Sequence, residues 1–142
     1  MAEKISYKII TDTNILISYL IGRELKSLRD LFEEENIEFI INDKLIEEFV
    51  RKVTLPKFRN YFEADKALAF IKFLKRRATL AEANSEVTIC RDSKDNFLLA
   101  LAKDAGADFL ITGDKDLLSL KRFENTTIIS LNEFIKQLNK IR

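Results

Sequence analysis

Short apolar runs that end in acidic residues constrain the fold of this chain more than any other feature. Residues 5–10 and 109–111 each have the apolar character of a buried parallel strand, and Asp12 and Asp114 follow them. In open α/β sheets, ligands bind at the carboxyl ends of the strands. We therefore expect both aspartates to lie at such an edge.

Strand-like and helix-like segments alternate along the chain. This alternation predicts an α/β fold, a three-layer α/β/α sandwich with a central parallel sheet and a helical arm. The predicted strands are residues 5–10, 37–41, 107–112 and 127–130, with a short extended segment at 87–89. The predicted helices are residues 13–20, 27–35, 44–52 and 61–77 (the arm), a helix that carries Asp95 and ends at Gly106, a short helix around Leu117, and a last helix capped by Ser130.

Length and composition favour one soluble globular domain. The 142 residues are enough for a single substantial core, so we predict one domain over residues 1–142. No apolar stretch approaches the roughly 20 residues needed to span a bilayer, and the first residues lack a signal-peptide profile. We therefore expect a cytoplasmic protein.

The supply of possible metal ligands is restricted. The chain has one cysteine, Cys90, and no histidine, which excludes an internal disulfide and a zinc-finger-type site. Any metal must therefore be held mainly by oxygen. No organic cofactor is expected, because none of the three glycines sits in a phosphate-cradling loop.

Positive charge is concentrated in the middle of the chain. Residues 51–77 contain nine positive and two negative side chains, a balance of +7, so the remainder carries −6 of the net +1. A basic segment beside an acidic body would suit a phosphate-binding protein. A solvated helix face is an equally good interpretation of this segment taken alone.

Four acidic residues occupy topologically separate segment ends: Asp12, Glu48, Asp95 and Asp114. Each has a simple structural alternative, because an aspartate can cap a helix and a helical glutamate usually faces solvent, as Glu47 next to Glu48 illustrates. Together they could converge at one sheet edge, where mutual repulsion would call for Mg²⁺ or Mn²⁺. Such a cation suits phosphodiester hydrolysis.

The segments at residues 9–20 (IITDTNILISYL), 44–58 (KLIEEFVRKVTLPKF) and 91–118 (RDSKDNFLLALAKDAGADFLITGDKDLL) resemble the successive motifs of PIN-domain ribonucleases. The resemblance is closest to single-domain prokaryotic PIN proteins described as toxins of toxin-antitoxin pairs (VapC-like). The chain departs from the family pattern at Leu55, where the family often has Arg, and at Ser93, where it often has Pro. Neither departure affects a proposed ligand.

This resemblance implies a divalent-metal-dependent endoribonuclease that uses Mg²⁺ or Mn²⁺. Asp12, Glu48, Asp95 and Asp114 match the family's acidic ligands, with Glu47 as the register alternative to Glu48. Three further residues match positions that orient the acids or assist them, and a fourth is a supplementary ligand candidate. These are Asn14, Thr112 and Asp116, and then Asp92. The resemblance also implies a homodimer and a small antitoxin protein as partner.

The basic segment supplies candidate contacts to RNA phosphates, and nearby aromatic residues could stack on bases. The alternative for the aromatic residues is packing in the core or at a dimer contact. The candidate phosphate contacts are Arg51, Lys52, Lys57, Arg59, Lys75, Arg76 and Arg77, and the candidate stacking residues are Phe58, Tyr61 and Phe62.

Two other classes of function remain open at this point. A haloacid dehalogenase-type phosphatase also has an aspartate after its first strand, but Asn14 stands where its second aspartate would be needed. A non-catalytic PIN-like binding module would keep the fold and serve only as a partner or scaffold.

Overall fold

The computed structural model describes residues 6–22 and 25–141, and within them six strands and seven α-helices alternate. The strands are β1 (Tyr7–Thr11), β2 (Ile37–Ile41), β3 (Thr79–Leu80), β4 (Phe109–Ile111), β5 (Arg122–Phe123) and β6 (Thr126–Ile129). The helices are α1 (Thr13–Leu20), α2 (Leu25–Glu33), α3 (Asp43–Val53), α4 (Ala64–Arg77), α5 (Ser93–Ala105), α6 (Lys115–Leu120) and α7 (Leu131–Ile141), with a 3-10 turn at Pro56–Phe58.

The six strands form one sheet in the order β3-β2-β1-β4-β6-β5. All pairings are parallel except that of β5 with β6. The chain builds outward from β1 through β2 and β3, and then returns to place β4 on the other side of β1. Strand order therefore reverses between β1 and β4, and such a switch point opens a crevice at the carboxyl ends of the strands.

Helices cover both faces of the sheet, which confirms the predicted α/β/α sandwich. Adjacent strand residues point to opposite faces, so Ile9 and Ile111 enter one buried cluster while Ile10 and Leu110 enter the other. The first cluster includes residues from α1, α2, α4 and α7, and the second includes residues from α5 and α6. Within residues 6–22 and 25–141, no helix has the length and apolar character needed to cross a membrane.

The helical arm is α4, which packs along the body through one face. Ala67, Phe70 and Leu74 are buried in the first cluster, whereas the opposite face is exposed. At its last residue, the Arg77 guanidinium donates to the carbonyl oxygens of Phe32, Glu34 and Ile37 at 2.9, 2.9 and 3.0 Å. Arg77 therefore has a structural role beside the start of β2, and its contact with RNA stays a prediction.

The strands at the sheet edges differ from the prediction. Residues 87–89, predicted as a short extended segment, form no strand, and side chains bind the backbone on either side of them, at residues 85 and 90. Asp104 accepts from the backbone N–H of Ser85 at 2.7 Å, and Asn96 accepts from that of Cys90 at 2.8 Å. The two-residue strands β3 and β5 were not predicted. Residue 5, where the first predicted strand begins, lies outside the described residues.

Replacement of Arg77 by Met should lower the free energy of unfolding by about 2–4 kcal/mol, because three carbonyl groups lose a charged donor. Urea denaturation monitored by circular dichroism would measure this loss. Arg76→Met, at an exposed neighbouring position, should change stability by less than about 0.5 kcal/mol. Equal losses in the two variants would contradict the role assigned to Arg77.

Candidate functional site

Asp12 and Asp114 flank the switch point of the sheet. Asp12 directly follows β1, and its backbone N–H donates to the carbonyl of Ile111 at the end of β4 (3.1 Å). Thr112 follows β4 and is fully buried. Its hydroxyl donates to Asp12 Oδ2 at 2.5 Å and accepts from the backbone N–H of Asp114 at 3.0 Å. One threonine therefore joins the two acidic positions.

Asp12 is buried and also caps a helix. Its Oδ1 accepts from the backbone N–H of Ile15 in the first turn of α1 (3.1 Å), and its side chain is almost covered. Burial raises the pKa of Asp12, whereas the hydrogen bonds from Thr112 and Ile15 oppose that rise. The carboxylate is thus held in place by donors on two elements.

The other aspartates at this edge differ in their local roles. Asp114 caps α6, since its Oδ1 accepts from the backbone N–H groups of Asp116 and Leu117 at 2.8 and 3.1 Å. Asp92 caps α5 by accepting from the N–H of Lys94 at 2.9 Å. The Asp116 carboxylate is exposed and lies 3.8 Å from the Arg91 guanidinium. The first turns of α5 and α6 therefore both bring acidic side chains to this edge.

Asp95 is the buried acid of the first turn of α5, with 8% of its surface exposed. Burial raises its pKa to about 6, and the carboxylates of Asp114, Asp92, Asp116 and Asp12 add to the rise in that order. These residues come from three separate segments of the chain. The direction of this shift is the one expected where α1, α5 and α6 bring carboxylates near one another.

Glu48 projects from α3 toward α1. Its Oε2 accepts from the Thr13 hydroxyl at 3.2 Å, and its Oε1 is buried. Three cations approach Oε1: Lys94 Nζ at 3.3 Å, Lys52 Nζ at 3.6 Å and an Arg51 guanidinium nitrogen at 3.9 Å. Glu47, the register alternative, is exposed.

Lys52 was predicted to contact RNA, but its ammonium group lies among residues of the acidic edge. It donates to Thr13 Oγ1 at 3.0 Å and to Asn14 Oδ1 at 3.2 Å, in addition to its ion pair with Glu48. Asn14, expected to orient the acids, thus orients a lysine that in turn faces Glu48. Both residues belong to the immediate surroundings of the acids.

The four predicted ligands are not gathered into one ligand set. Among residues 6–22 and 25–141, no three Asp, Glu or Cys side chains lie together in an arrangement that could hold a metal ion. The aspartates lie within electrostatic reach of one another, but Glu48 is neutralised by lysines. Convergence of all four acids, as expected from the sequence, is therefore not observed in this arrangement of side chains.

The donor chemistry of the site nevertheless fits a hard divalent cation. The available side-chain donors are carboxylates and small polar groups, which Mg²⁺ and Mn²⁺ prefer. Glu48 Oε1 is buried without a hydrogen-bond partner in the described part of the chain and is balanced by ion pairs alone, which a divalent cation could replace. The raised pKa of Asp95 also shows an excess of negative charge that a cation would relieve.

An open groove of about 380 Å³ runs between α3 and α5, with Glu48 on its wall. It is lined by three cationic side chains, of which sequence analysis identified only Arg51. The other two are Lys44, whose ammonium group lies 4.6 Å from the centroid of the Phe97 ring, and Lys94. The position of Lys94 directly before Asp95 is a sequence signal for a cation near the acids. Lys44 has no such neighbour among the four predicted ligands.

The remaining predicted phosphate contacts lie elsewhere. Lys57 and Arg59 are exposed around the 3-10 turn, where Phe58 and Phe62 pack against the core and Tyr61 is exposed. Lys75 and Arg76 are exposed in the last turn of α4, next to Arg77 and the start of β2. The start of β2 is at the opposite end of the strands from the acids. The contact of Lys75 and Arg76 with RNA stays a prediction.

Asp95→Asn should stabilise the metal-free protein above about pH 6. Between the ordinary pKa of 3.8 and the folded-state value of about 6, the folded protein holds a proton that the unfolded chain releases. Stability therefore falls as pH rises through this window, and the penalty is constant above it. We expect the variant to gain roughly 2 kcal/mol at pH 7.5 and nothing below about pH 4.

Urea denaturation in EDTA at several pH values would measure this gain. Asp65→Asn, which removes an exposed aspartate from α4, provides the matched control and should show no such pH-dependent gain. A wild-type protein more stable than Asp95→Asn at pH 7.5 would contradict the assigned environment of Asp95.

Comparisons with known proteins agree with this architecture. An uncharacterized protein of Methanocaldococcus jannaschii, MJ1680, is 33% identical over 123 residues, which cover 84% of this chain and 78% of that protein. The crystal structure of PAE2754 from Pyrobaculum aerophilum matches with a TM-score of 0.61 at 17% identity, over 94% of this chain and 90% of that chain, and thus shares the fold. The PIN domain family, whose members are generally metal-dependent nucleases, matches residues 8–116. The chain therefore belongs to the PIN domain family.

Proposed function

We propose that this protein is a divalent-metal-dependent endoribonuclease that hydrolyses phosphodiester bonds of RNA. The observation that carries the proposal is the gathering of acidic residues at the switch point, where Thr112 joins Asp12 to the backbone of Asp114 and where Asp95 is buried with a pKa raised by burial and by neighbouring carboxylates. Gathering such charge is costly unless a cation and a substrate use it. Membership of the PIN family excludes the haloacid dehalogenase-type alternative.

Asp12, Asp95 and Asp114 would hold the cation, with Glu48 completing the set after release from Lys94. Bound Mg²⁺ or Mn²⁺ supplies Lewis-acid polarisation of a phosphoryl oxygen and activation of water. Thr112 positions the carboxylate of Asp12 and the backbone of Asp114 through its two hydrogen bonds. Asn14 holds the Lys52 ammonium group, which in turn orients the carboxylate of Glu48.

The groove between α3 and α5 leads to this site and would carry the RNA backbone. Lys44, Arg51 and Lys94 line it, and cationic side chains attract phosphates irrespective of base sequence. The location that we propose for the activity is the cytoplasm.

Cleavage of a mixed-sequence RNA by the purified protein with Mg²⁺, Mn²⁺ or EDTA tests the proposal. We expect metal-dependent cleavage that falls about 100-fold or more in Asp12→Asn and in Asp95→Asn, since loss of a ligand should cost at least as much as loss of a residue that supports one. Asp65→Asn should cleave like the wild type. A folded wild-type protein that cuts no RNA with either metal would favour the non-catalytic binding module.

We further propose that the protein acts as the toxin of a toxin-antitoxin pair. An apolar groove of about 600 Å³ between α3, the 3-10 turn and α4 supports a protein partner. Four large apolar side chains are exposed in or beside these elements, of which Val50 and Leu68 line the groove, and exposed apolar patches mark interaction sites. They are Val50, Leu55, Tyr61 and Leu68. We assign the groove to a small antitoxin with an apolar segment, and a homodimer would use another face.

Leu68→Arg places a charge in this groove and should abolish binding of the antitoxin without changing the mass of the toxin alone. Light scattering of the purified protein and of its complex with the antitoxin encoded beside it would measure both. Glu133→Arg, an exposed change on α7, provides the control. If Leu68→Arg instead converts a dimer into a monomer, the groove is the contact between two copies and our assignment is wrong.

A further inference from the structure

Glu48 is held by cations at the position where the proposed function requires a metal ligand. Its side chain is 16% exposed, and Oε1 lies 3.3 Å from Lys94 Nζ and 3.6 Å from Lys52 Nζ. These separations are ion-pair contacts without a hydrogen bond to Oε1 within residues 6–22 and 25–141. The ammonium groups thus neutralise a carboxylate that a divalent ion would otherwise neutralise.

The two lysines are not equivalent. Lys52 is 22% exposed and is fixed by hydrogen bonds to Thr13 and Asn14. Lys94 is 51% exposed, and the ion pair with Glu48 is the one polar contact of its ammonium group that the described residues show. A long side chain with one solvent-screened contact exchanges partners at little cost. Lys94 is therefore the cation that can leave Glu48.

The position of Lys94 provides a destination for the released ammonium group. Lys94 lines the groove between α3 and α5 together with Lys44 and Arg51, and it stands directly before Asp95 on α5. A divalent cation on Glu48 would repel a lysine 3.3 Å away. The same lysine lines the groove that we assign to the RNA backbone, where a polyanion would attract it.

We propose that Lys94 is an exchangeable counter-ion that couples metal binding to RNA binding: its ammonium group pairs with Glu48 in the absence of metal and with a substrate phosphate when metal binds. This inference rests on the proposed function. Without metal, Lys94 positions Glu48. With metal bound, Lys94 binds the substrate phosphate. Linkage requires that metal then strengthens RNA binding and RNA strengthens metal binding.

The first test is calorimetric titration of Mn²⁺ into wild-type protein, Lys94→Met, Lys94→Arg and Lys44→Met. Lys94→Met removes the competing cation and should bind Mn²⁺ about five-fold or more tightly than the wild type. Lys94→Arg keeps the charge and should stay close to the wild type. Lys44→Met is the matched control, because it removes the same charge from the same groove at a residue that faces Phe97.

The second test measures binding of a short fluorescent 2′-O-methyl oligoribonucleotide by anisotropy, with EDTA and with Mn²⁺. In EDTA, Lys94→Met should bind the oligonucleotide like the wild type, because Lys94 of the wild type is then paired with Glu48 and does not contact the oligonucleotide. In Mn²⁺ it should bind about five-fold or more weakly. Lys44→Met should weaken binding equally in both conditions.

The outcomes separate this inference from the proposed function. If wild type binds Mn²⁺, Asp95→Asn does not, and Lys94→Met binds Mn²⁺ no more tightly than the wild type, then Lys94 is no counter-ion and the metal site stands. A loss of oligonucleotide binding in Lys94→Met that is equal in EDTA and Mn²⁺ also overturns the exchange. If the wild type binds no Mn²⁺, the proposed function and this inference fail together.

Discussion

The buried hydroxyl of Thr112 connects the two halves of the sheet at the point where strand order reverses. It donates to the carboxylate that follows β1 and accepts from the backbone that follows β4. Because it is fully buried, both hydrogen bonds are shielded from competition by water. Together with the pairing of β1 and β4, this side chain fixes the positions of Asp12 and Asp114, where α1 and α6 begin. The remaining acids are arranged around a position that Thr112 fixes.

The main framework could be predicted from sequence because burial leaves a pattern in each segment. The long strands are buried on both faces and read as apolar runs, and Gly106 ends α5 with a positive φ of 65°. β3 and β5 left no pattern, since two residues cannot show periodicity and form strands only through pairing with β2 and β6. The role of Arg77 was equally hidden, because its three carbonyl partners belong to segments distant in sequence.

At the site, sequence analysis named the acids together with Asn14 and Thr112, but it did not predict the ion pairs of Glu48. From sequence, helix capping and site formation are alternative roles for Asp12 and Asp114. In the structure, both residues cap helices and also lie at the acidic edge of the sheet. The pairing of Glu48 with Lys94 joins α3 to α5, and no local spacing rule relates the two residues. Charge counting identified the basic segment that contains Arg51 and Lys52, both of which approach Glu48, but it missed Lys94, which stands outside that segment.

The capping role of these aspartates has an evolutionary consequence. Asp12, Asp92 and Asp114 each satisfy backbone N–H groups at the start of a helix, so selection for folding alone would retain them after any loss of chemistry. Asp95 lies inside the first turn of α5, where its buried charge opposes folding. Drift should therefore replace Asp95 first in a relative that has lost activity. Under the proposed function, the residue at position 95 is a better record of past catalysis in descendants of this fold than the three caps around it.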